Sequence, residues 1–430
     1  MQRLWSIGVA IGLAVALRLV FIVVPGWELV DADETQYHSL AISMLEGQGY
    51  SNDGEPAAEW PPLYPIFLSV VYFVFGRSTA AVFFAQALLG AATVFGVYRL
   101  SLSIFEDEHV AVLSAFVLAG YPLLILLNKS LLSENLYVPL LIWHLCFLHQ
   151  GLARNDGRHL TISAVLLGLT ALTRTFIAPI VVAYVVMLPC MLSGRFVTRV
   201  KTTLGYTLVF VLTLLPWTAR NYLAFDEFVP LTTSFGGTLY AGYSMADYIY
   251  GNSPVDAITK TSEYVEEQKG AAAANRYLVQ ESVKIIVEQP YRLPTLMVKK
   301  LAYFIMPFDY DILPRFPVGN NPGFNSPYVF LAPFFLIGGW QAYRARHLIS
   351  PLLIVLGYTL VMCMLILGVP RYRLPVEPLI VLFASFAMAS YWHHPNRRMI
   401  YSLSGAYLAC TLLFGIYVAE VKAWIASLIT

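Results

Sequence analysis

The sequence predicts an all-α polytopic membrane protein built as a bundle of about eleven (eleven to thirteen) transmembrane helices. Of its 430 residues, 58% are hydrophobic and 12% are charged, whereas a soluble domain carries about 25% charged residues. The apolar residues form continuous runs, many close to the ~20 residues that a helix needs to cross a bilayer. Barrel strands would alternate apolar with polar residues instead, so the runs favour helices.

Each long apolar run is interpreted as one membrane span. The predicted spans are 4–24, 79–103, 109–127, 134–152, 160–176, 177–193, 203–220, 327–342, 349–368, 374–391 and 399–421. Two shorter runs, 62–76 and 297–308, are too short to cross comfortably and are predicted to lie at the membrane interface.

The basic residues predict the orientation, because Lys and Arg are enriched in cytoplasmic loops. With a cytoplasmic N-terminus, the inner loops hold Arg3, Arg99, Arg154, Arg158, Arg195, Arg199, Lys201, Arg344, Arg346, Arg397 and Arg398. The chain then divides into an N-terminal module (1–220) with its first outer loop (26–76), an outer-face region (221–326) and C-terminal spans (327–430). We expect a plasma (inner) membrane protein whose site faces the periplasm or the outside.

Net charge and cysteine content are less informative. The formal net charge of +1 by itself says nothing about nucleic acid, and no nucleic-acid partner is expected. The four cysteines stand apart in apolar runs, so they are expected to be small buried side chains, not disulfides or metal ligands.

The most acidic stretch follows the first span. Residues 26–60 contain eight carboxylates and no Lys or Arg, and Asp33-Glu34 begins a predicted short helix over 34–46. Neighbouring side chains do not share a helix face, so one acid can enter a cleft while the other caps the helix. We expect a general base there, Asp33 or Glu34; a helix cap with a solvated acidic face is the alternative.

Four arginines stand on the predicted outer side, against the general basic bias: Arg174, Arg220, Arg371 and Arg373. Guanidinium groups grip phosphate bidentately, so we expect them to bind a donor phosphate. The alternative for any one of them is snorkelling to the lipid headgroups.

Further polar and aromatic residues are expected at the acceptor side or in the cleft: Asp31, Tyr37, Glu59, Tyr64 and Glu134. Glu134 could instead be a helix N-terminal residue capped by Ser133 and favoured by the helix dipole. Glu59 could merely end the loop, or bind a divalent metal with another outer carboxylate; no metal or other cofactor is certain.

These residues occur in an order that resembles the GT-C fold glycosyltransferases, in the branch of the protein O-mannosyltransferases and lipid A aminoarabinose transferases. The ordered elements are Asp33-Glu34, Glu59-Trp60-Pro61-Pro62-Leu63-Tyr64-Pro65, Ser133-Glu134, Thr173-Arg174, Pro216-Trp217 with Arg220-Asn221, and Arg371-Tyr372-Arg373-Leu374-Pro375.

The resemblance implies a sugar donor linked to polyprenyl phosphate. It also implies that Asp33 acts at the acceptor, that Arg174 lies near the lipid phosphate and that some relatives hold a metal near the position of Glu59. Trp60 stands where the aminoarabinose enzymes have a Lys. The expected reaction is inverting transfer to a lipid, glycan or protein acceptor, with Asp33 as general base. The alternatives are a transporter or flippase for lipid-linked glycans, or a ligase.

Overall fold

The computed structural model describes residues 2–23, 32–244, 270–307 and 326–392. Asp31, Cys410 and the predicted span 399–421 lie outside the described residues.

The described residues are almost entirely helical. The helices of the first half are α1 (Gln2–Val23), α2 (Ala32–Leu45), α3 (Leu63–Phe75), α4 (Thr79–Phe105), α5 (Glu108–Ala119), α6 (Pro122–Leu127), α7 (Glu134–Arg154), α8 (Gly157–Thr173), α9 (Ile180–Met191) and α10 (Phe196–Phe225). Those of the second half are α11 (Phe235–Ser244), α12 (Ala271–Glu288), α13 (Leu293–Ile305), α14 (Ser326–Arg344), α15 (Ser350–Leu365) and α16 (Glu377–Trp392). Short 3-10 turns cover Thr175–Ile177, Pro290–Arg292 and Pro370–Val376.

Four stretches of the described helices are long and apolar enough to cross a membrane: Thr79–Phe105, Glu134–Arg154, Phe196–Phe225 and Pro370–Tyr391. Shorter apolar helices accompany them. The chain is therefore a helical membrane protein, as its composition predicts, and the count of eleven spans stays a prediction.

The predicted span 109–127 is wrong as one continuous helix. It divides into α5 and α6 at Gly120 and Tyr121. Pro122 cannot donate a backbone hydrogen bond and drives the residue before it away from helical geometry; Tyr121 accordingly has φ −73° and ψ 107°.

A two-stranded hairpin, β1 (Ser51–Asn52) and β2 (Glu55–Pro56), interrupts the first outer loop. The all-α prediction does not include it. Asp53 and Gly54 form the turn, both with positive φ, and Asp-Gly is a preferred pair for such tight hairpin turns. The hairpin gives the loop a fixed shape beside the candidate site.

Helix α3 has the length expected of the interfacial run 62–76. Its 13 residues extend about 20 Å, well short of the ~30 Å hydrocarbon core. Tyr64 and Leu68 are fully buried, whereas Phe73 on the other side of the helix is 81% exposed. The outward side offers an apolar surface to lipid.

One cysteine departs from its predicted environment. Cys146 and Cys363 are buried, as expected, but Cys190 is exposed. It lies near the end of α9, whose outward face is apolar and suited to lipid. Its place in an apolar run therefore did not mean that it is buried inside the protein.

The up-and-down order of α7 to α10 determines which ends of the helices meet. Helix α7 begins at Glu134, and its neighbour α8 ends beside Arg174. The connection between them, with Arg154 and Arg158, lies at the opposite end. The chain thus brings its acidic loop and selected arginines to one end of the bundle and its basic connections to the other.

Candidate active site

Asp33 lies in the first turn of α2, at the wall of a cavity that Arg174 also lines. Its side chain is 31% exposed. Asp33 Oδ2 forms a 2.9 Å ion pair with Arg371 Nη1, and Oδ1 accepts a 3.4 Å hydrogen bond from Trp60 Nε1. These contacts hold the carboxylate in one orientation, while its partial exposure leaves it accessible from the cavity.

Glu134 occupies the centre of an arginine cluster. Its carboxylate is fully buried and contacts both Arg174 and Arg371; the Arg371 Nη2–Glu134 Oε2 distance is 3.3 Å. A buried carboxylate needs such paired, hydrogen-bonded cations. Asp33, Arg371, Glu134 and Arg174 therefore form one continuous chain of charges.

The alternative interpretation of Glu134 holds in part: Glu134 is the first residue of α7, but Ser133 does not cap that helix. Ser133 has helical φ and ψ, and its side chain makes no cap hydrogen bond. Its Oγ instead accepts a 3.2 Å hydrogen bond from the Tyr37 hydroxyl. Two arginines, not a serine cap, explain the position of Glu134.

The cavity has a volume of about 520 Å³ and is partly open. Asp33 and Arg174 line it together, and the guanidinium of Arg174 lies 5.5 Å from the centre of the Tyr372 ring. The Arg174 side chain is 18% exposed. A carboxylate that can take a proton and a cation that can bind an anion thus face the same space.

Arg371 lies behind this wall. Its side chain is 9% exposed and is divided between Asp33 and Glu134. In this arrangement Arg371 orients Asp33 and neutralises Glu134, so Arg174 is the better placed of the two to meet a ligand phosphate.

Tyr37, Glu59 and Trp60 complete the side of the cavity formed by the first outer loop. Burial, with a smaller contribution from the Asp33 charge, raises the pKa of the Tyr37 hydroxyl. The hydroxyl therefore stays protonated and acts as a hydrogen-bond donor. Tyr64 is fully buried behind them, with its ring 5.1 Å from Tyr37 and its hydroxyl donating to Gln86 Oε1 at 2.6 Å.

Glu34 does not line the cavity. It is fully buried, and its Oε1 accepts a 2.9 Å hydrogen bond from the backbone N–H of Leu131. This contact joins α2 to the corner that precedes α7. Of the two adjacent acids, Asp33 faces the cavity, whereas Glu34 points away from it and holds α2 against the residues that precede α7.

Arg220 and Arg373 do not join Arg174 at the cavity. Arg220 donates to the backbone carbonyls of Ala57, at 2.7 Å, and Tyr50, and so clamps the hairpin loop to α10. Arg373 is 2% exposed and donates to two backbone carbonyls at the end of α13 and to Glu377. Their predicted role at the donor phosphate finds no support in this geometry.

Sequence reasoning missed a further part of the cavity wall, which is formed by residues 230–238 and by α12, both in the outer-face region. Its polar lining residues are Thr232, Ser234, Thr238 and Asn275. Asn275 Oδ1 accepts a 2.6 Å hydrogen bond from the backbone N–H of Gly236, which fixes α12 against α11. The one sequence signal for that contact is the glycine pair in Phe235-Gly236-Gly237, because glycine permits a close approach of helices. An added Cβ at Gly236 would lie 2.2 Å from Asn275 O.

The described residues contain no group of three or more His, Cys, Asp or Glu side chains that could hold a metal ion. Glu59 lines the main cavity and a smaller neighbouring cavity of about 170 Å³. A metal at Glu59 remains a prediction.

Comparison with known proteins addresses the fold directly. Over 99% of this chain, the structure matches the oligosaccharyltransferase of Archaeoglobus fulgidus in the apo form, with a TM-score of 0.56 and 14% sequence identity. The oligosaccharyltransferase AglB from the same archaeon, in complex with an inhibitory peptide and a dolichol-phosphate, matches with a TM-score of 0.57, 14% identity and 99% coverage. The chain has the GT-C fold. It spans 56% and 55% of the length of these two structures.

A family model supports the resemblance to GT-C proteins over part of the chain. The model, described as dolichyl-phosphate-mannose-protein mannosyltransferase, matches residues 59–217. That segment includes Glu59, Glu134 and Arg174 but neither Asp33 nor Arg371. A weaker structural likeness, with a TM-score of 0.45 and 13% identity, is to ArnT from Cupriavidus metallidurans in the apo state; it covers 91% of this chain and 79% of that one. No curated protein matches the sequence.

Proposed function

We propose that this GT-C protein transfers a sugar from a polyprenyl-phosphate donor to an acceptor hydroxyl or amine at the outer face of the plasma membrane. The observation that carries the proposal is the shared cavity of Asp33 and Arg174. The family model named for dolichyl-phosphate-mannose supports a lipid-phosphate donor. The dolichol-phosphate in the AglB complex, a protein of the same fold, supports it too.

The proposed reaction is a single displacement with inversion. An acceptor O–H or N–H gives its proton to Asp33 as the acceptor atom forms a bond to the anomeric carbon. The bond from that carbon to the phosphate oxygen breaks on the opposite side, and its electron pair leaves with polyprenyl phosphate. Arg174 stabilises the charge that develops on the leaving phosphate. Phosphate is a good leaving group, so the step requires no general acid.

The charge chain assigns different tasks to its members. Arg371 orients the Asp33 carboxylate, and Glu134 holds Arg174 and Arg371 together. Fixed charges that need not reorganise during the reaction are the effective ones in catalysis. The acceptor approaches on the side of the first outer loop, where Glu59 and Trp60 stand.

The test is transfer of radiolabelled sugar from a panel of polyprenyl-phosphate sugars by the purified protein in lipid, with hydrolysis followed alongside. Asp33→Asn keeps the shape and removes the proton acceptor, so we expect a rate loss on the order of 10²- to 10⁴-fold. The matched control is Asp53→Asn, because Asp53 is an exposed turn residue in the same loop and Asn accepts its positive φ.

The outcomes separate the proposal from its rivals. Wild-type transfer that collapses in Asp33→Asn but not in Asp53→Asn supports it, and anomeric NMR of the product tests inversion. No turnover of any donor, together with movement of lipid-linked sugar that survives in Asp33→Asn, would identify a transporter instead.

A further inference from the structure

The C-terminal end of α15 is held by side chains from two other helices. A helix leaves its last carbonyls without intrahelical partners. Here the Tyr243 hydroxyl of α11 donates to Leu365 O at 2.6 Å, and Lys300 Nζ of α13 donates to Ile366 O at 2.7 Å. Lys300 is fully buried, and its ammonium lies 4.0 Å from the centre of the Tyr243 ring.

The same two segments are joined in the reverse direction. Arg373 lies in the 3-10 turn that follows α15, and its Nη1 donates to Phe304 O at 2.7 Å and Met306 O at 2.8 Å, at the end of α13. Each helix end is therefore bound by a cation from the other segment. The helix dipole also favours a cation at this end of a helix. We call this pair of contacts the reciprocal clasp.

The residues between the two contacts of the clasp belong to the candidate site. Ile366 and Tyr372 line the cavity, and Arg371 pairs with Asp33 and Glu134. The packing leaves little room for movement, because an added Cβ at Gly368 would lie 2.2 Å from Lys300 O. Displacing Lys300 would thus displace the backbone that carries Arg371.

A lysine is a costly residue for this position if packing is its only task. Burying an ammonium carries a desolvation penalty, and burial lowers the pKa of Lys300 to about 8. In the described part of the chain its contacts are a carbonyl oxygen and an aromatic face, not a carboxylate. A methionine of similar length would fill the space at less cost but could not donate to Ile366 O.

We propose that Lys300 is a positioning residue that holds the segment 366–373 so that Arg371 orients Asp33 and Tyr372 faces the cavity. Its effect on catalysis rests on the proposed glycosyl transfer; its effect on the segment does not. Lys300 is not itself a lining residue of the cavity and acts through the backbone of Ile366.

The test compares Lys300→Met with Lys300→Arg and with Lys299→Met, using the full chain in lipid nanodiscs. Lys299 is the neighbouring lysine and is only partly buried, so it controls for loss of a charge from α13. Hydrogen–deuterium exchange of peptides covering 366–373 reports on the segment without any substrate. Transfer kinetics, separated into kcat and KM, report on the site.

We expect Lys300→Met to speed exchange in 366–373 at least about tenfold while exchange in α10 is unchanged. We expect kcat to fall on the order of 10- to 100-fold with a smaller change in KM, because a displacement of about 1 Å costs that much. Lys300→Arg retains a donor and should recover part of both, whereas Lys299→Met should resemble the wild type.

A second variant keeps the proposal testable if Lys300→Met does not fold. Gly242→Ala retains the lysine but would place a methyl 2.0 Å from Ile366 O, so it should produce the same local rise in exchange. Wild-type exchange in 366–373 in every folded variant would overturn the proposal. So would a kcat unchanged in Lys300→Met. If the wild type shows no sugar transfer, the proposed function fails and the exchange experiment still decides the role of Lys300.

Discussion

A single residue, Glu134, connects distant parts of the candidate site. It is fully buried and binds two arginines that come from distant parts of the sequence. One of them faces the cavity and the other orients Asp33. The carboxylate therefore joins Arg174, the proposed phosphate ligand, to Arg371 and so to Asp33, the proposed base.

Glu134→Gln removes that charge with little change in volume. Breaking a buried ion pair typically costs about 3–5 kcal/mol, because the remaining charges stay buried without compensation. We expect a loss of stability of that order and a loss of transfer. Thermal unfolding in detergent and the radiolabel assay measure the two effects.

The matched control is Glu46→Gln. Glu46 also pairs with an arginine, Arg77 at 2.7 Å, but the two side chains are 43% and 57% exposed. Exposed pairs contribute about 0–1 kcal/mol. Equal stability of the Glu46 and Glu134 variants would show that the buried charge cluster is not what holds these helices together.

The sequence indicated several residues of the site but not how they are connected. The excess of acids in 26–60 and the unusual outer arginines pointed to Asp33 and Arg174. The residue pattern alone does not separate Arg174 from Arg220, because both stand near the ends of apolar runs; only the family resemblance singled out Arg174. Only tertiary packing shows that Arg220 finds backbone carbonyls and Arg174 finds Glu134.

At the scale of elements, close approach of backbones fixes the packing of α14 against α16. An added Cβ at Gly338 would lie 1.9 Å from Phe383 O, whereas nothing lies within 4 Å of the same position at Gly339. Small residues permit such approach between membrane helices. Two adjacent glycines of one helix therefore have different tasks.

Gly338→Ala should destabilise the protein by about 1–3 kcal/mol, as overpacking against rigid backbone does. Gly339→Ala should be neutral or stabilising by up to about 1 kcal/mol, because alanine is the better helix former. Thermal unfolding of the two variants side by side makes the comparison. A more stable Gly338→Ala variant would contradict the packing of α14 on α16.

Apolar runs predicted the presence of most helices but not their ends. The break at Tyr121 depends on a single proline inside an otherwise apolar run. The hydrophobic pattern of the run does not reveal this break. Helix α10 continues beyond the predicted span 203–220 at both ends, to Phe196 and Phe225. Polar residues in those turns remain helical because they lie at the ends of a long helix that is already formed.

At the scale of the whole molecule, the two ends of the bundle differ in charge. The hairpin, clamped by Arg220, lies at the C-terminal end of α10, and Arg195 directly precedes its N-terminal end. Thirty residues of helix separate these ends by about 45 Å. They should therefore lie on opposite sides of the membrane.

Single cysteines in a background without the four native ones test this arrangement. Glu55→Cys and Arg195→Cys are both at exposed positions. In intact spheroplasts, a membrane-impermeant maleimide should label Glu55→Cys at once and Arg195→Cys only after permeabilisation. The reverse order would invert the proposed orientation, and labelling of both without permeabilisation would contradict the helix order itself.

The ion pair between Arg371 and Glu134 joins residues 237 positions apart in the chain. The ribosome adds Arg371 long after it has synthesised Glu134, so during synthesis Glu134 lacks one of its two cations. The proposed active-site arrangement is consequently among the last features to form. On the proposed function, an unfinished chain would therefore not yet hold Asp33 in its working orientation.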